Sequence, residues 1–343
     1  MRKTAAKLLT VAALATSLAT VVSGTAVADP SVTPASVDIV GVGSDTTQAL
    51  LNQLATDYNS SLGAGSTAPH LYSWDATGTS PITPKTGASS IARPNGSGAG
   101  ISALNANTSA TVDFARSSRP AGASDPHGLA FVLLAKDAIT WSAKSGGNAP
   151  ASLTQDQLTK IYNCTYTNWQ QISSSLPNAT IKPYLPQANS GTRQVFLAAI
   201  STPTPGTCVT TGPQENEGTD AALNDADAVF PYSIGHYIGQ TNGHSSGSDA
   251  VGVLTLRNVQ VGTTVYNPVV SGHINTSLVN TVFGRGLFDV FRNTEWTATD
   301  THGTALQAIF GPDGWICNDS VAGADITSYG FLTSVACGVS TVS

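Results

Sequence analysis

The most chemically suggestive stretch of this sequence is the turn at residues 189–192, near the middle of the chain. It reads Asn-Ser-Gly-Thr and leads into apolar residues at helical spacing, so Asn189 or Ser190 is expected to cap a helix. The first amides of a helix lack intrahelical partners and carry the positive end of its dipole, and Gly191 lets a ligand approach them. Thr192 adds a hydroxyl donor. The turn is suited to an anion, although an ordinary capped helix has the same residues.

Three further polar turns, at residues 44–47, 95–100 and 116–119, each follow a strand-like or apolar segment. The carboxyl ends of strands in an open α/β sheet share one edge, where ligands bind, so these turns are expected to converge. Backbone amides, hydroxyls and one or two arginines can replace the water around a compact oxyanion without a metal ion. The candidate ligand-binding residues are Ser44, Asp45, Thr46, Ser97, Arg116, Ser117, Ser118, Ser190, Gly191, Thr192 and Arg193.

The elements that must position these turns follow from the pattern of apolar residues. Residues 37–43 and 131–135 have the composition of buried strands, and residues 152–162 have the cap and spacing of a helix. Residues 278–291 are also predicted to form a helix despite two glycines. Strands that alternate with helices indicate the α/β class.

The first 28 residues are predicted to be a secretory signal, because three basic residues precede an apolar run and Ala26-Val27-Ala28 forms a cleavage site. Removal of those three basic residues changes the formal net charge from −6 to −9. An acidic chain without clusters of Lys or Arg is not expected to bind nucleic acid or anionic membranes. No cysteine near the cleavage site could carry a lipid, and no later apolar run has the length of a membrane span. The sequence therefore predicts a secreted or extracytoplasmic protein.

The length of residues 29–343 favours two lobes rather than one core. The four cysteines fit an oxidising compartment and predict two disulfides, for which three connectivities are possible. The sequential pairs Cys164–Cys208 and Cys317–Cys337 are favoured because each would lie within one lobe. The spacings of Cys and His contain neither CxxC nor HExxH, so no metal site or cofactor is expected.

An extracellular hydrolase is a less favoured class of function. The G-x-S-x-G signature is absent around Ser97, where Asn95 replaces the first glycine, and no histidine is placed to act as its base. Glu215 and Glu217 could serve glycoside hydrolysis, but acids two residues apart more often belong to a solvated loop. The protein is therefore not expected to be an enzyme.

Five motifs occur in an order typical of one known family. They are Gly41-Val42-Gly43-Ser44-Asp45-Thr46, Gly96-Ser97-Gly98-Ala99-Gly100, Val112-Asp113-Phe114-Ala115, the segment from Leu153 to Ile172, and Ser190-Gly191-Thr192. On these residues the chain resembles the extracytoplasmic phosphate-binding proteins of ABC transporters, which belong to the periplasmic-binding-protein-like superfamily. The resemblance covers roughly residues 37–238 and adds little for the C-terminal hundred.

The resemblance implies an α/β fold of the class II type, in which two lobes, each a mixed sheet flanked by helices, are joined by two hinge crossings. Lobe 1 would comprise residues 29–130 and 255–343, and lobe 2 residues 131–254, with hinge motion near residues 127–133 and 249–256. By matched position, Ser97 would donate its hydroxyl and nearby amides. The residues Ser190, Gly191 and Thr192 would form the cradle of the second lobe, and Ser44 to Thr46 the first turn.

Two positions depart from the family's pattern. Ser118 stands where the family has an aspartate that accepts the proton of hydrogen phosphate, and Pro186 stands where it has an arginine. Arg116, Arg119 or Arg193 could restore the positive charge, and Asp45 could supply an acceptor.

The favoured function is that of a secreted solute-binding protein that captures a small oxyanion between its lobes, and phosphate is the favoured oxyanion. It would act as a monomer, with an ABC transporter permease as a candidate partner. Ser118 and Pro186 keep open another oxyanion or a polar organic solute on the same fold. The missing lipid anchor keeps open an extracellular surface or adhesion protein without a transport role.

Overall fold

The computed structural model describes residues 29–245 and 247–343, and the predicted secretory signal at residues 1–28 lies outside them. Over the described residues the strands are β1 (Ile39–Gly43), β2 (Leu71–Ser73), β3 (Phe114–Ser117), β4 (Leu129–Lys144), β5 (Ser152–Thr154), β6 (Lys182–Leu185), β7 (Thr210–Thr211), β8 (Ala228–Ser233), β9 (Leu254–Leu256), β10 (Asn258–Val261), β11 (Thr264–Tyr266), β12 (Val269–Val270), β13 (His273–Ile274), β14 (Gly284–Arg292) and β15 (Ser340–Val342). The helices are α1 (Gln48–Ser61), α2 (Ser97–Ala106), α3 (Gln155–Tyr162), α4 (Gly191–Ala199), α5 (Ile234–Thr241), α6 (Thr276–Val279), α7 (Asn293–Trp296), α8 (Thr301–Phe310), α9 (Trp315–Asn318) and α10 (Ser320–Ser328), with 3-10 helices at Trp169–Gln171 and Ala221–Leu223.

A mixed sheet runs through the whole molecule in the order β2-β1-β3-β14-β4-β8-β6-β7, with β15 and β9 also paired to β4. β1 is parallel to β2 and β3, whereas β14 is antiparallel to both β3 and β4. The 16 residues of β4 pair first with β14 and β15, and later with β8 and β9. β4 therefore connects the two halves of the sheet as one uninterrupted strand.

Two cores lie on either side of a point in the middle of β4. Ala130, Val132, Leu134 and Ala135 of β4 pack with α1, α8 and α10, whereas its apolar residues from Ala138 onward pack with α3, α4 and α5. The chain changes sides again at β14, because Phe283, which directly precedes this strand, belongs to the second core and Leu287 within it belongs to the first. The fold is thus the predicted α/β arrangement of two lobes, in which β4 and β14 are the crossings.

We propose that the second crossing lies at β14 rather than at residues 249–256, where the sequence analysis expects it. β9 pairs with the second-lobe end of β4, and β10 pairs with β5. Val259, Ile274 and Leu278 are buried in the second core. These contacts keep the chain in the second lobe up to residue 283, and we propose that residues 29–136 with 285–343, and 137–284, are the two lobes.

The predicted helix at residues 278–291 is wrong. A short helix, α6, ends at Val279, and β14 begins at Gly284. Glycine in a helix interior costs about 1 kcal/mol relative to alanine, and this segment contains two. In β14 the same residues form a ladder on both sides, with β3 and β4, so the sheet decided the conformation.

Both disulfides follow the predicted sequential pairing. Cys164 is bonded to Cys208 in the second lobe, and Cys317 to Cys337 in the first. The bonds close segments of 44 and 20 residues, respectively. Each bond restricts the unfolded chain within a single lobe, and the longer segment is restricted more.

We predict that replacement of Cys164 and Cys208 by alanine lowers the free energy of unfolding by about 4 kcal/mol, and replacement of Cys317 and Cys337 by about 3 kcal/mol, because the loss grows with the length of the closed loop. Unfolding in guanidinium chloride measures both. A larger loss for the pair at 317 and 337 would contradict the chain-entropy explanation.

Candidate functional site

The predicted turns meet where β1 and β3 end and α2 and α4 begin. β1 and β3 are parallel, so the turns that follow them lie at one edge of the sheet. The carbonyl of Gly43, the last residue of β1, accepts a hydrogen bond from the amide of Gly96, which precedes α2. The amide of Gly98 in α2 donates to the carbonyl of Asn189 at 3.0 Å, which brings the N-terminus of α2 against that of α4. The predicted convergence is present in the structure.

The N-terminus of α4 is capped as predicted, by Ser190, whose Oγ accepts a hydrogen bond from the amide of Arg193 at 3.0 Å. Gly191 follows and packs between two other turns. A Cβ atom at this position would lie 2.4 Å from Ser97 Oγ and 2.4 Å from Ser118 Oγ. Those two hydroxyls are 3.3 Å apart, and Ser97 Oγ accepts the amide of Ser118 at 3.0 Å. A side chain at this position would displace both hydroxyls, so glycine allows the three turns to meet this closely.

Thr192 connects the first lobe to a cation that the sequence analysis missed. Its Oγ1 lies 3.4 Å from Oγ1 of Thr46, in the turn after β1. Arg285, near the start of β14, donates from Nη1 to Thr192 Oγ1 and to the carbonyl of Ser118, both at 3.0 Å. All four residues are buried. The site thus contains a guanidinium that touches both the turn after β3 and the start of α4.

Arg285 forms a buried ion pair with Asp137 of β4. Nε and Nη2 of Arg285 donate to Asp137 Oδ2 at 2.9 and 2.7 Å, and both side chains are almost completely excluded from solvent. Asp137 also accepts hydrogen bonds from Ser233 Oγ and from the amide of Gly235, at the N-terminus of α5. The one sequence signal is general: charged residues are rarely buried without a partner. It gave no indication that these two residues pair.

We predict that Asp137→Asn lowers the free energy of unfolding by about 3–5 kcal/mol, because it leaves the buried guanidinium of Arg285 without its counter-ion. Asp225→Asn is the control, since its partner Lys182 is half exposed and such pairs contribute about 0–1 kcal/mol. Urea unfolding compares the two variants. Equal losses would show that Asp137 does not stabilise Arg285 more than a surface acid would.

Glu215 is a second unexpected member of the site. It is completely buried, so the prediction of a solvated loop is wrong for this residue. Its Oε1 accepts hydrogen bonds from Thr46 Oγ1 at 2.9 Å and from the amide of Thr192 at 3.1 Å. The neighbouring Asn216 donates to Thr46 Oγ1 at 3.2 Å and to Asp45 at 3.4 Å. Sequence reasoning missed the contacts of Glu215 because Thr46 and Thr192 are remote from it in sequence, and Thr46 lies in the other lobe.

A buried histidine and two carboxyl groups lie beside Thr46. His236 of α5 hydrogen-bonds through Nδ1 to the carbonyl of Thr46 at 3.0 Å and through Nε2 to Asp249 at 2.7 Å. Burial opposes a charge on His236, but attraction to Asp249 and the hydrogen bond with it outweigh burial and raise the pKa of His236 to about 10. Burial raises the pKa of Asp45 well above its usual range, against the attraction of His236. The contact between α5 and the first turn is therefore made by a protonated imidazole.

We predict that the free energy of unfolding falls as pH rises from about 6.5 to about 10. Unfolded His236 releases its proton near pH 6.5, whereas the folded protein keeps it until about pH 10, so its contribution is complete below the first value and lost above the second. His236→Gln should reduce this dependence, which urea unfolding at several pH values measures. His244→Gln is the control, because burial lowers the pKa of His244. An unchanged pH dependence in His236→Gln would refute the assignment.

Several residues predicted to bind the ligand instead stabilise the turns around the site. Arg116 is buried in the first lobe, where it donates to the carbonyl of Ser44 at 2.9 Å and to Ser73 at 2.6 Å, and burial lowers its pKa to about 10. Arg193 donates to the carbonyl of Pro186 and to Thr211, in its own lobe. Neither guanidinium contacts the hydroxyls around Gly191.

The remaining predicted positions are mostly internal to the turns. Ser117 Oγ donates to the carbonyl of Arg119, and Arg119 pairs with Asp125 at 2.5 Å. Ser44 donates its amide to the carbonyl of Arg116, and its buried Oγ has no hydrogen-bond partner within residues 29–245 and 247–343. Among the described residues, no group of three or more His, Cys, Asp or Glu side chains is arranged to hold a metal ion.

Comparison with known proteins shows the family to which this chain belongs. A family model described as the PBP superfamily domain matches residues 28–270, which is more than half of the chain. The chain belongs to the PBP superfamily. The match includes all four predicted turns and Glu215, whereas β14 with Arg285 lies beyond it.

Individual relatives are distant in sequence. The chain is 30% identical over 92 residues to the phosphate-binding protein PstS of Staphylococcus haemolyticus, a match of 25% of this chain and 29% of that protein. It resembles the crystal structure of an ABC-type phosphate transport receptor from Vibrio cholerae with a TM-score of 0.56 and 18% identity, over 87% of this chain and all of that one.

A putative phosphate ABC transporter substrate-binding protein from Clostridium perfringens, with bound phosphate, gives a TM-score of 0.57 at 15% identity, over 87% of this chain and 99% of that one. At these identities the likeness establishes the periplasmic-binding-protein-like fold. Over the described residues, no helix combines the length and apolar character that crossing a membrane requires.

Proposed function

We propose that this superfamily member is an extracytoplasmic solute-binding protein that holds a small oxyanion, phosphate, in the cleft between its two lobes. The observation that carries the proposal is the convergence of Ser97, Ser118, Gly191 and Thr192 with the guanidinium of Arg285. Helix N-termini, hydroxyls and one arginine are the groups that replace water around a compact anion. They come from both lobes, so a bound anion would stabilise the closed arrangement.

Arg285 compensates for the arginine that is missing at Pro186, one of the two departures from the family's pattern. Pro186 leaves the second-lobe turn without the arginine that the resemblance led us to expect, and neither Arg116 nor Arg193 reaches the convergent hydroxyls. Arg285 enters from β14 instead, with Nη1 3.0 Å from Thr192 Oγ1. We therefore assign the ligand-binding guanidinium to Arg285 and the framing of the first turn to Arg116.

The relatives support the class of ligand and of partner. The protein from Staphylococcus haemolyticus is described as a phosphate-binding protein, and that from Vibrio cholerae as a phosphate transport receptor. The protein from Clostridium perfringens is described as a putative phosphate ABC transporter substrate-binding protein with bound phosphate. We propose by analogy that this chain is exported, binds its solute without chemical change, and delivers it to an ABC transporter permease as a monomer.

Calorimetric titration of residues 29–343 tests the proposal, after bound solutes are removed by unfolding and refolding with the disulfides intact. We predict that phosphate binds and that Thr192→Val and Ser97→Ala each weaken binding about tenfold or more, because each removes a hydroxyl that can donate to the charged ligand. The control is Thr301→Val, at the exposed N-terminus of α8.

Sulfate and a neutral sugar complete the titration. Absence of phosphate binding from acid to neutral pH would reject phosphate as the ligand. Binding of sulfate in its place would assign the same cleft to another oxyanion, the alternative that Ser118 keeps open.

A further inference from the structure

The chain places one of its own carboxylates on donors that the proposed ligand needs. We propose that Glu215 is a specificity-determining residue that competes with the bound oxyanion for the amide of Thr192 and the hydroxyl of Thr46, and so sets the affinity of the cleft. This inference rests on the proposed function and concerns a residue outside the predicted binding set.

The first argument is the identity of the donors. The amide of Thr192 is one of the first amides of α4, which have no partner within the helix. Glu215 Oε1 accepts hydrogen bonds from this amide at 3.1 Å and from the hydroxyl of Thr46 at 2.9 Å. A carboxylate and an oxyanion are both negatively charged acceptors, so the same two donors satisfy either of them. The carboxylate of Glu215 and the ligand cannot accept hydrogen bonds from these two donors at the same time.

The second argument is that Glu215 is only half satisfied in this position. Its Oε2 is buried and has no hydrogen-bond partner among the described residues. A buried acceptor without a donor loses its hydration and gains nothing in return. Asp45 is nearby, and the negative charge of Glu215 contributes to the raised pKa of that carboxyl group. Binding of the carboxylate to these donors therefore carries a free-energy cost, from the unpartnered oxygen and from repulsion with Asp45. An anion whose oxygens all find donors would not carry this cost.

The third argument is that the carboxylate can leave without unfolding its loop. The amide of Glu215 donates to Gln187 Oε1 at 3.0 Å, and the carbonyl of Asn216 accepts hydrogen bonds from Tyr232 and Gln240. All of these partners belong to the second lobe, so the backbone stays anchored while the side chain rotates. Displacement of the Glu215 carboxylate therefore does not require these backbone contacts to break.

The fourth argument concerns closure of the lobes. Glu215 comes from the second lobe, and Thr46 from the first, so their hydrogen bond spans the cleft. In this position Glu215 acts as a tethered substitute for the solute and favours the closed arrangement before any solute binds. A site that is accessible for only a fraction of the time has an affinity reduced by that fraction, and removal of the competitor restores it.

The test compares Glu215→Ala and Glu215→Gln with the wild type by calorimetric titration with inorganic phosphate. We expect Glu215→Ala to bind phosphate about tenfold tighter, and Glu215→Gln also to bind tighter, because a neutral amide is a weaker acceptor than a carboxylate. Glu217→Gln is the matched control, since it removes the same charge two residues along the loop, and its affinity should equal that of the wild type. Glu215→Gln preserves the shape of the side chain if Glu215→Ala folds poorly.

Small-angle X-ray scattering gives an independent readout. Without phosphate, Glu215→Ala should have a larger radius of gyration than the wild type, and phosphate should reduce it. If the wild type binds phosphate and neither Glu215 variant binds it more tightly, the role of Glu215 is overturned and the proposed function stands. If the wild type and both variants fail to bind phosphate or sulfate, the proposed function itself is overturned.

Discussion

The ion pair between Arg285 and Asp137 is the interaction on which the rest of this structure depends. It joins β14 to β4, the two strands that pass between the lobes, at the point where each leaves one core and enters the other. Buried charges are tolerated only when they are paired and hydrogen-bonded. Asp137 meets this condition through Arg285 and the start of α5, and Arg285 through Asp137, Ser118 and Thr192. One pair thereby fixes the crossings and the polar site together.

The charges around this pair bear on how an acidic chain would hold the proposed anion. Arg285 is balanced by Asp137, and protonated His236 by Asp249, which leaves Glu215 as a carboxylate at the cradle without a cationic partner. The cleft therefore offers little excess positive charge. Attraction for an anion comes instead from the dipoles of two helix N-termini and from hydroxyl groups, whose effect is strong because water is excluded. Exchange of one anion for another at these donors leaves the charge of the site almost unchanged.

Sequence reasoning succeeded where the determining interactions are local. The cap at Ser190, the strand at residues 131–135 and the pairing of the cysteines all depend on neighbouring residues or on the separation of cysteines along the chain. It failed where a partner is distant. The segment at 278–291 became a strand because β3 and β4 flank it, and Arg193 turned to Pro186 and Thr211 in its own lobe. Glu215 was assigned to a solvated loop because its partners, Thr46 and Thr192, are remote in sequence.

The sequence by itself determined the class of the fold and the turns that would meet at the sheet edge. Strand, turn and helix signals are carried by short segments whose propensities and caps act over a few residues. Only the tertiary structure decided which charged groups enter the cleft. Arg285 and Glu215 come from segments far from the turns they contact, and a side chain is selected for a buried site by pairing and desolvation, which depend on what surrounds it in space. For that reason the positions of the hydroxyls were predictable, whereas the guanidinium of Arg285 and the carboxylate of Glu215 were not.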